Sequence, residues 1–217
     1  MAGLPEPLSR RDRQRQTREA LIFAARRVFS EDGYHAATLE RIAREAGFSK
    51  GAVYSNFDDK SALFLAVMDA NLALAEADAT DPFERQAAPT STGRGIGDRE
   101  GYSHEATQGF ALATLEFIAR AARDEKLAPQ MHQRLAALLD SYTEIARASR
   151  PDDETLSAPD VGKLLAALDQ GAGLIEIAGG VAADAQLFNA GMRRLVDPAR
   201  ASAGLDADDE APPRLNG

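Results

Sequence analysis

Apolar positions along the N-terminal third of the chain repeat with the period of a helix. Leu21, Ala25, Val28 and Phe29 stand at i, i+4, i+7 and i+8, and Ile22 and Ala24 widen the stripe. They predict a helix from Arg13 to about Asp32, closed by Gly33, since glycine accepts the left-handed conformation that ends helices. Leu39, Ile42, Ala43 and Ala46 predict a second helix, begun by the capping hydroxyl of Thr38 and ended by Gly47. Ser49 caps a third, Lys50–Phe57, whose Val53 and Phe57 share one side. Asp58 or Asp59 begins a fourth, with Leu63, Phe64, Val67, Met68 and Leu72. Very short turns join these elements into a three-helix unit with an outgoing fourth helix.

The pattern dissolves from Thr80 to Ser103, where Pro82, Pro89, Gly93, Gly95, Gly97 and Gly101 predict a mobile loop near 80–104. Helical patterning returns over about Glu105–Arg123, Pro129–Ser149, Pro159–Ala178 and Ala183–Val196. The last segment, 197–217, is acidic and rich in proline, and reads as a disordered tail. No strand alternation and no internal repeat stands out. The predicted fold class is all-α.

Composition narrows the chemistry. The 217 residues contain no cysteine, so disulfides, thiolate catalysis and cysteine-built zinc sites drop out together. No apolar run approaches the roughly 18 to 20 residues of a membrane span. The basic N-terminus is not followed by the apolar stretch of a secretory signal, so a cytoplasmic protein without a membrane partner is expected. Net charge is −9, which by itself argues against a nucleic-acid partner. The distribution argues otherwise: residues 1–60 hold 11 Lys/Arg against 9 Asp/Glu, while 61–217 hold 14 against 25. Five arginines (Arg10, Arg11, Arg13, Arg15 and Arg18) face one acid, Asp12, over nine residues. Such asymmetry suggests one end built for a polyanion.

Thr38–Phe57 has the spacing of a helix-turn-helix, whose second helix lies in the major groove of duplex DNA. Burial of Val53 and Phe57 would leave Lys50, Gly51, Ala52, Tyr54, Ser55 and Asn56 outward. Gly51 and Ala52 lack bulk, so backbone could approach base edges or a thymine methyl, and Lys50 could reach a guanine edge or a phosphate. Tyr54, Ser55, Asn56 and Lys60 suit phosphate oxygens, as do the Thr38 hydroxyl and the amides that open the second helix. With Ser49, Arg13 and Arg15 these are the candidate DNA-binding residues. The expected organisation is a basic flexible arm over 1–12, a DNA-binding domain over 13–60 with its motif at 38–57, and a larger helical domain over 61–196.

Residue identities sharpen this reading. The Asp32-Gly33-Tyr34 turn after Phe29, then Ala37-Thr38-Leu39, Ile42-Ala43 and Ala46-Gly47, precede Ser49-Lys50-Gly51-Ala52-Val53-Tyr54, Phe57, Lys60 and Leu63. Over residues 13–72 the chain resembles the DNA-binding domain of TetR-family transcriptional regulators. The resemblance implies DNA contacts at Thr38, Lys50, Tyr54 and Lys60. At Asn56 many members carry histidine. It also implies dimerisation through the last two long helices. There Leu164, Leu168, Ala172 and Ile175 form one stripe, and Leu187, Phe188, Met192 and Leu195 another. A ligand pocket among the middle helices is implied as well, with Phe110, Phe117, Met131 and Tyr142 as candidates suited to an apolar effector.

No catalytic residue, metal site or cofactor is indicated. His35, His104 and His132 are dispersed, and Gly93-Arg94-Gly95-Ile96-Gly97 lacks the third glycine, the strand and the lysine of a phosphate loop. The expected function is a ligand-responsive regulator: a homodimeric repressor on a palindromic duplex operator, released by a small-molecule effector. The alternative is a DNA-localised interaction protein of the same fold that engages a protein partner without a small-molecule switch.

Overall fold

Ser9 opens the first helix, accepting the Asp12 backbone N–H at 3.1 Å through its hydroxyl. The computed structural model describes residues 9–77, 104–151, 154–179 and 185–198. Eight helices and no strands occur among them: α1 Arg10–Ala36, α2 Leu39–Glu45, α3 Lys50–Tyr54, α4 Lys60–Ala77, α5 His104–Ala121, α6 Ala128–Ser149, α7 Ala158–Ile177 and α8 Ala185–Val196. The Ser9 cap starts α1 three residues before the expected Arg13, so Arg10 and Arg11 are helical rather than part of a flexible arm. The expected loop at 80–103, the tail beyond 198 and residues 1–8 of the arm lie outside the described residues.

The described residues of 9–132 form one compact unit and those of 133–198 a second. In the first, the predicted stripes meet as expected. Leu21, Ala25, Val28 and Phe29 of α1 are buried with Leu39, Ile42 and Ala43 of α2, with Val53, with Phe57, and with Leu63, Phe64 and Val67 of α4. Phe110, Ala113 and Phe117 of α5 complete this core. Phe64 stacks on Phe117 at 4.6 Å and on Phe110 at 5.5 Å between ring centres, and Tyr34 meets Phe117 edge-on at 5.0 Å. Gly109 lets α5 cross α1 backbone to backbone, because a Cβ there would stand 2.0 Å from the Ser30 carbonyl oxygen.

The compact boundary therefore differs from the expected one at residue 60. A three-helix unit of about fifty residues buries too small a fraction of its surface to be robust alone. Here α4 and α5 add Phe64, Phe110 and Phe117 to the Phe29, Tyr34 and Phe57 of α1 and the motif.

In the second unit, Tyr142 and Ala146 of α6 pack with Val161, Leu165 and Ala166 of α7 and with Phe188, Met192 and Val196 of α8. Within this apolar cluster Asp169 is 0% exposed, its carboxylate accepting hydrogen bonds from the Tyr142 hydroxyl and from Gln170 Nε2. Ser157 caps α7, accepting the Asp160 N–H at 3.3 Å, with Pro159 in the first turn as its fixed φ favours.

Candidate nucleic-acid interface

α2 is seated on α1 by charge as well as by its apolar face. Arg41 pairs with Asp32 and Glu31, and Arg27 with Glu45. Thr38 caps α2, its Oγ1 accepting the Arg41 N–H at 3.2 Å, so its own proton is left to offer to a phosphate. The turn runs through Gly47 (φ +74°), and the Phe48 N–H bonds the Ala43 carbonyl at 2.9 Å. Ser49 then caps α3 through the Ala52 N–H at 3.3 Å.

α3 is five residues long, shorter than the predicted Lys50–Phe57. Val53 and Phe57 are buried as expected and anchor it. Lys50, Gly51, Tyr54 and Ser55 face outward, Tyr54 with 51% of its surface exposed. Ala52 is half-buried. The early end of α3 changes two assignments. The Gly51 and Val53 carbonyls take the backbone N–H groups of Ser55, Asn56 and Phe57, and side chains meet the Ala52 carbonyl between them. Ser55 Oγ donates to the Ala52 carbonyl at 2.9 Å, and Asn56 Nδ2 donates to the same oxygen at 2.8 Å. The donors expected to meet phosphates at Ser55 and Asn56 are engaged in closing the helix.

Lys60 differs more. Its ammonium donates to three backbone carbonyls, of Tyr34 at 2.7 Å, His35 at 3.0 Å and Ala37 at 2.9 Å, and lies 4.7 Å from the Tyr34 ring centre. All three of its protons have protein acceptors, so the expected phosphate contact has no donor to spare in this geometry. Burial pushes its pKa below the usual lysine value, and the nearby Arg120 adds to the effect.

Lys50 is the exposed cation of the reading helix, and it is ion-paired with Glu40 of α2. The hydrogen bond lowers the Glu40 pKa and raises that of Lys50. Along α1, Arg13 is exposed, and Arg15, also exposed, stands 3.5 Å from Asp12 and 3.8 Å from Glu19. Arg18 is exposed as well, but donates to the Asn56 carbonyl at 2.9 Å with its guanidinium 4.3 Å from the Phe57 ring centre. It fastens α1 to the end of the motif. Sequence patterning missed Glu40 and this role of Arg18, because both pairings join residues far apart in the chain.

Residues 21–67 match the family model described as bacterial regulatory proteins, tetR family. A curated relative, the HTH-type transcriptional repressor Rv1474c of Mycobacterium tuberculosis, is 32% identical over 145 residues, covering 64% of this chain and 72% of the relative. This chain belongs to the TetR family.

The HTH-type transcriptional repressor AcnR of Corynebacterium glutamicum is 41% identical over 56 residues, covering 26% of this chain but only 30% of AcnR. TetR-family likeness is therefore densest around the motif. The fold extends further: a transcriptional regulator from Saccharomonospora viridis, solved in complex with choline, superposes with TM-score 0.59 at 16% identity over 84% of this chain and 96% of that one. The likeness of fold thus reaches well beyond the helix-turn-helix, into the helical C-terminal region.

The residues expected to line a TetR-type effector pocket are all buried. Phe110, Phe117 and Met131 are core of the first unit, whereas Tyr142 is core of the second and bonded to Asp169. For Phe110 and Phe117 the apolar spacing reflects stacking on Phe64 inside a helical core. The expected interface residues divide as well. Phe188 and Met192 are buried in the second unit and Leu195 packs against its core, but Leu164, Leu168 and Ile175 are 44%, 38% and 51% exposed along one face of α7. Among the described residues no cluster of three metal-ligating side chains occurs, and no helix is long and apolar enough to cross a membrane.

Proposed function

We propose that this protein is a cytoplasmic homodimeric repressor that reads a palindromic operator and is released by a small-molecule effector. The carrying observation is the α2–turn–α3 element. Buried Val53 and Phe57 seat a short helix whose outward face holds Lys50, Gly51 and Tyr54, with the capping hydroxyl of Thr38 at the start of α2. Gly51 has only Ser49 Oγ near the place of a Cβ, so duplex bases can approach its backbone closely. Lys50 exchanges Glu40 for a guanine edge or phosphate on binding, and Arg13 and Arg15 add phosphate contacts.

Two features support the dimer. α7 buries Val161, Leu165, Asp169 and Gly173 on one face and exposes Leu164, Leu168 and Ile175 on another, so a helix within one chain carries two apolar faces. One such motif reads few base pairs, and a two-fold dimer places two reading helices about 34 Å apart. The repressor sense follows the names of the relatives in M. tuberculosis and C. glutamicum. A small-molecule effector follows the choline complex of the S. viridis neighbour. An effector that prefers the dimer with displaced reading helices releases the operator through that difference in affinity.

The test is selection of bound sequences from a random duplex pool by the purified protein at near-physiological salt. Enrichment of a palindrome with two half-sites is expected, and its affinity should fall steeply with added salt as phosphate counterions are released. A pool returned unenriched would overturn the reading.

A further inference from the structure

The regular course of α1 breaks at Gly33, where φ is +74°, and four residues (34–37) lead from there to the Thr38 cap of α2. Two elements outside the motif hold this connection, each by a different polarity. Lys60, the first residue of α4, gathers the carbonyls of Tyr34, His35 and Ala37 on one ammonium. Glu116 of α5 takes the opposite polarity, its Oε2 accepting the His35 backbone N–H at 2.9 Å. The fit is close: a Cβ on Gly33 would stand 2.7 Å from Glu116 Oε1. One turn further along α5, the Arg120 guanidinium lies 6.0 Å from the Tyr34 ring centre.

We infer that Glu116 is a positioning residue that sets the orientation of the α2–turn–α3 element through the 33–37 connection. The inference rests on the reading above that this element binds duplex DNA. Peptide groups between Gly33 and Thr38 are gripped by their carbonyls from α4 and by an N–H from α5. A relative displacement of α4 and α5 must therefore rotate these peptide planes, and the rotation passes directly into the N-terminus of α2. Because Gly33 lacks a side chain, the connection turns there without a steric barrier. Glu116 borders an open groove of about 630 Å³ shared with His35, Ala119, Arg120, Arg123 and Asp124, so its carboxylate has room to leave the amide. Arg41, Arg27 and the apolar face of α2 keep the motif folded on α1 when it does.

The experiment compares the full-length parent with Glu116→Ala and Glu116→Gln on three readouts: affinity for the selected duplex, thermal unfolding, and amide hydrogen exchange. The alanine variant is expected to lose about tenfold in operator affinity with its melting temperature nearly unchanged, and to exchange faster over residues 33–45. The glutamine variant, whose amide oxygen still accepts the His35 N–H, is expected to recover most of both. The sign is diagnostic, because removing a carboxylate that merely repelled DNA would strengthen binding. Operator affinity within about twofold of the parent for the alanine variant overturns the inference, and so does a glutamine variant as impaired as alanine. If the parent itself enriches no duplex, the DNA reading fails separately and the exchange measurement decides. Faster exchange confined to 33–45 in alanine and restored in glutamine supports the positioning role, and an unchanged pattern overturns it. Should the alanine variant fold poorly, Glu116→Met, near in size but without an oxygen to accept the His35 N–H, takes its place beside the glutamine variant, with the same expected and overturning results.

Discussion

Glu40 and Lys50 are ion-paired across the turn of the helix-turn-helix, one on α2 and the other at the start of α3. The cation best placed to read DNA thus carries its own carboxylate competitor. On the proposed reading, phosphates or a guanine edge displace Glu40, and the displaced carboxylate then lies close to a polyanion.

This arrangement makes opposite predictions for its two members. Lys50→Ala should weaken binding to the selected duplex by roughly tenfold to a hundredfold, as expected for loss of a base-reading cation. Glu40→Gln should strengthen binding severalfold, with a larger gain on random duplex than on the operator. Titration by fluorescence anisotropy checks both. The hydrogen bond from Lys50 holds the Glu40 pKa below its ordinary 4.5, so the pair persists through the neutral range, is lost as pH falls through the lowered value, and is lost at alkaline pH only once Lys50, its own pKa raised above 10.5, gives up its proton. The gain from Glu40→Gln should accordingly be constant across the neutral range.

Leu168 sits in the exposed stripe of α7 between Leu164 and Ile175. Leu168→Glu should convert the proposed dimer to a monomer in sedimentation velocity without reducing helix content, since the position is 38% exposed in the single chain. A dimer that survives this change would place the interface elsewhere.

Tyr142→Phe tests the polar centre of the second unit. The substitution keeps the ring in its cluster but removes a donor from the fully buried Asp169 carboxylate. A loss of about 1–3 kcal/mol of unfolding free energy is expected, the usual cost of depriving a buried polar group of a partner. Urea denaturation checks it. A variant as stable as the parent would show that Gln170 and the remaining surroundings suffice.

Asp160 reports on the start of α7. The Ser157 hydroxyl, and secondarily Lys163, lower its pKa below the ordinary 3.8. A lowered carboxylate value means stability present above 3.8 and lost as pH falls through the lowered value. Asp160→Asn should therefore be less stable than the parent at pH 6, with the difference closing below about pH 3.8. Ser157→Ala should cost about 1 kcal/mol as a lost cap.

The apolar spacing of α1, α2, α4 and α7, the capping residues Thr38 and Ser49, and Pro159 in the first turn of α7 were legible in the chain alone. Helical period and N-cap chemistry are local properties, and each survives into the fold. The same local signals identified the motif and its anchors Val53 and Phe57. Aromatic spacing at Phe110 and Phe117 was equally visible, but it could not say whether those rings face a cavity or other rings. Only the crossing of α5 over α1 at Gly109 decided that, by bringing Phe64 against both.

What the sequence determined by itself is therefore the all-helical class, the helix-turn-helix and the TetR-family likeness, because these depend on residues within a turn or two of one another. What tertiary structure decided is which polar groups remain available. Lys60 reads as a cation for phosphate, yet its ammonium is drawn onto three backbone carbonyls of another element, while Arg18 gives one of its five donors to the Asn56 carbonyl. Ser55 and Asn56 spend their donors closing a helix shorter than its pattern. Hydrogen-bond demand at helix ends is met by whichever side chain the fold brings within reach, and that neighbour is fixed by packing rather than by spacing along the chain.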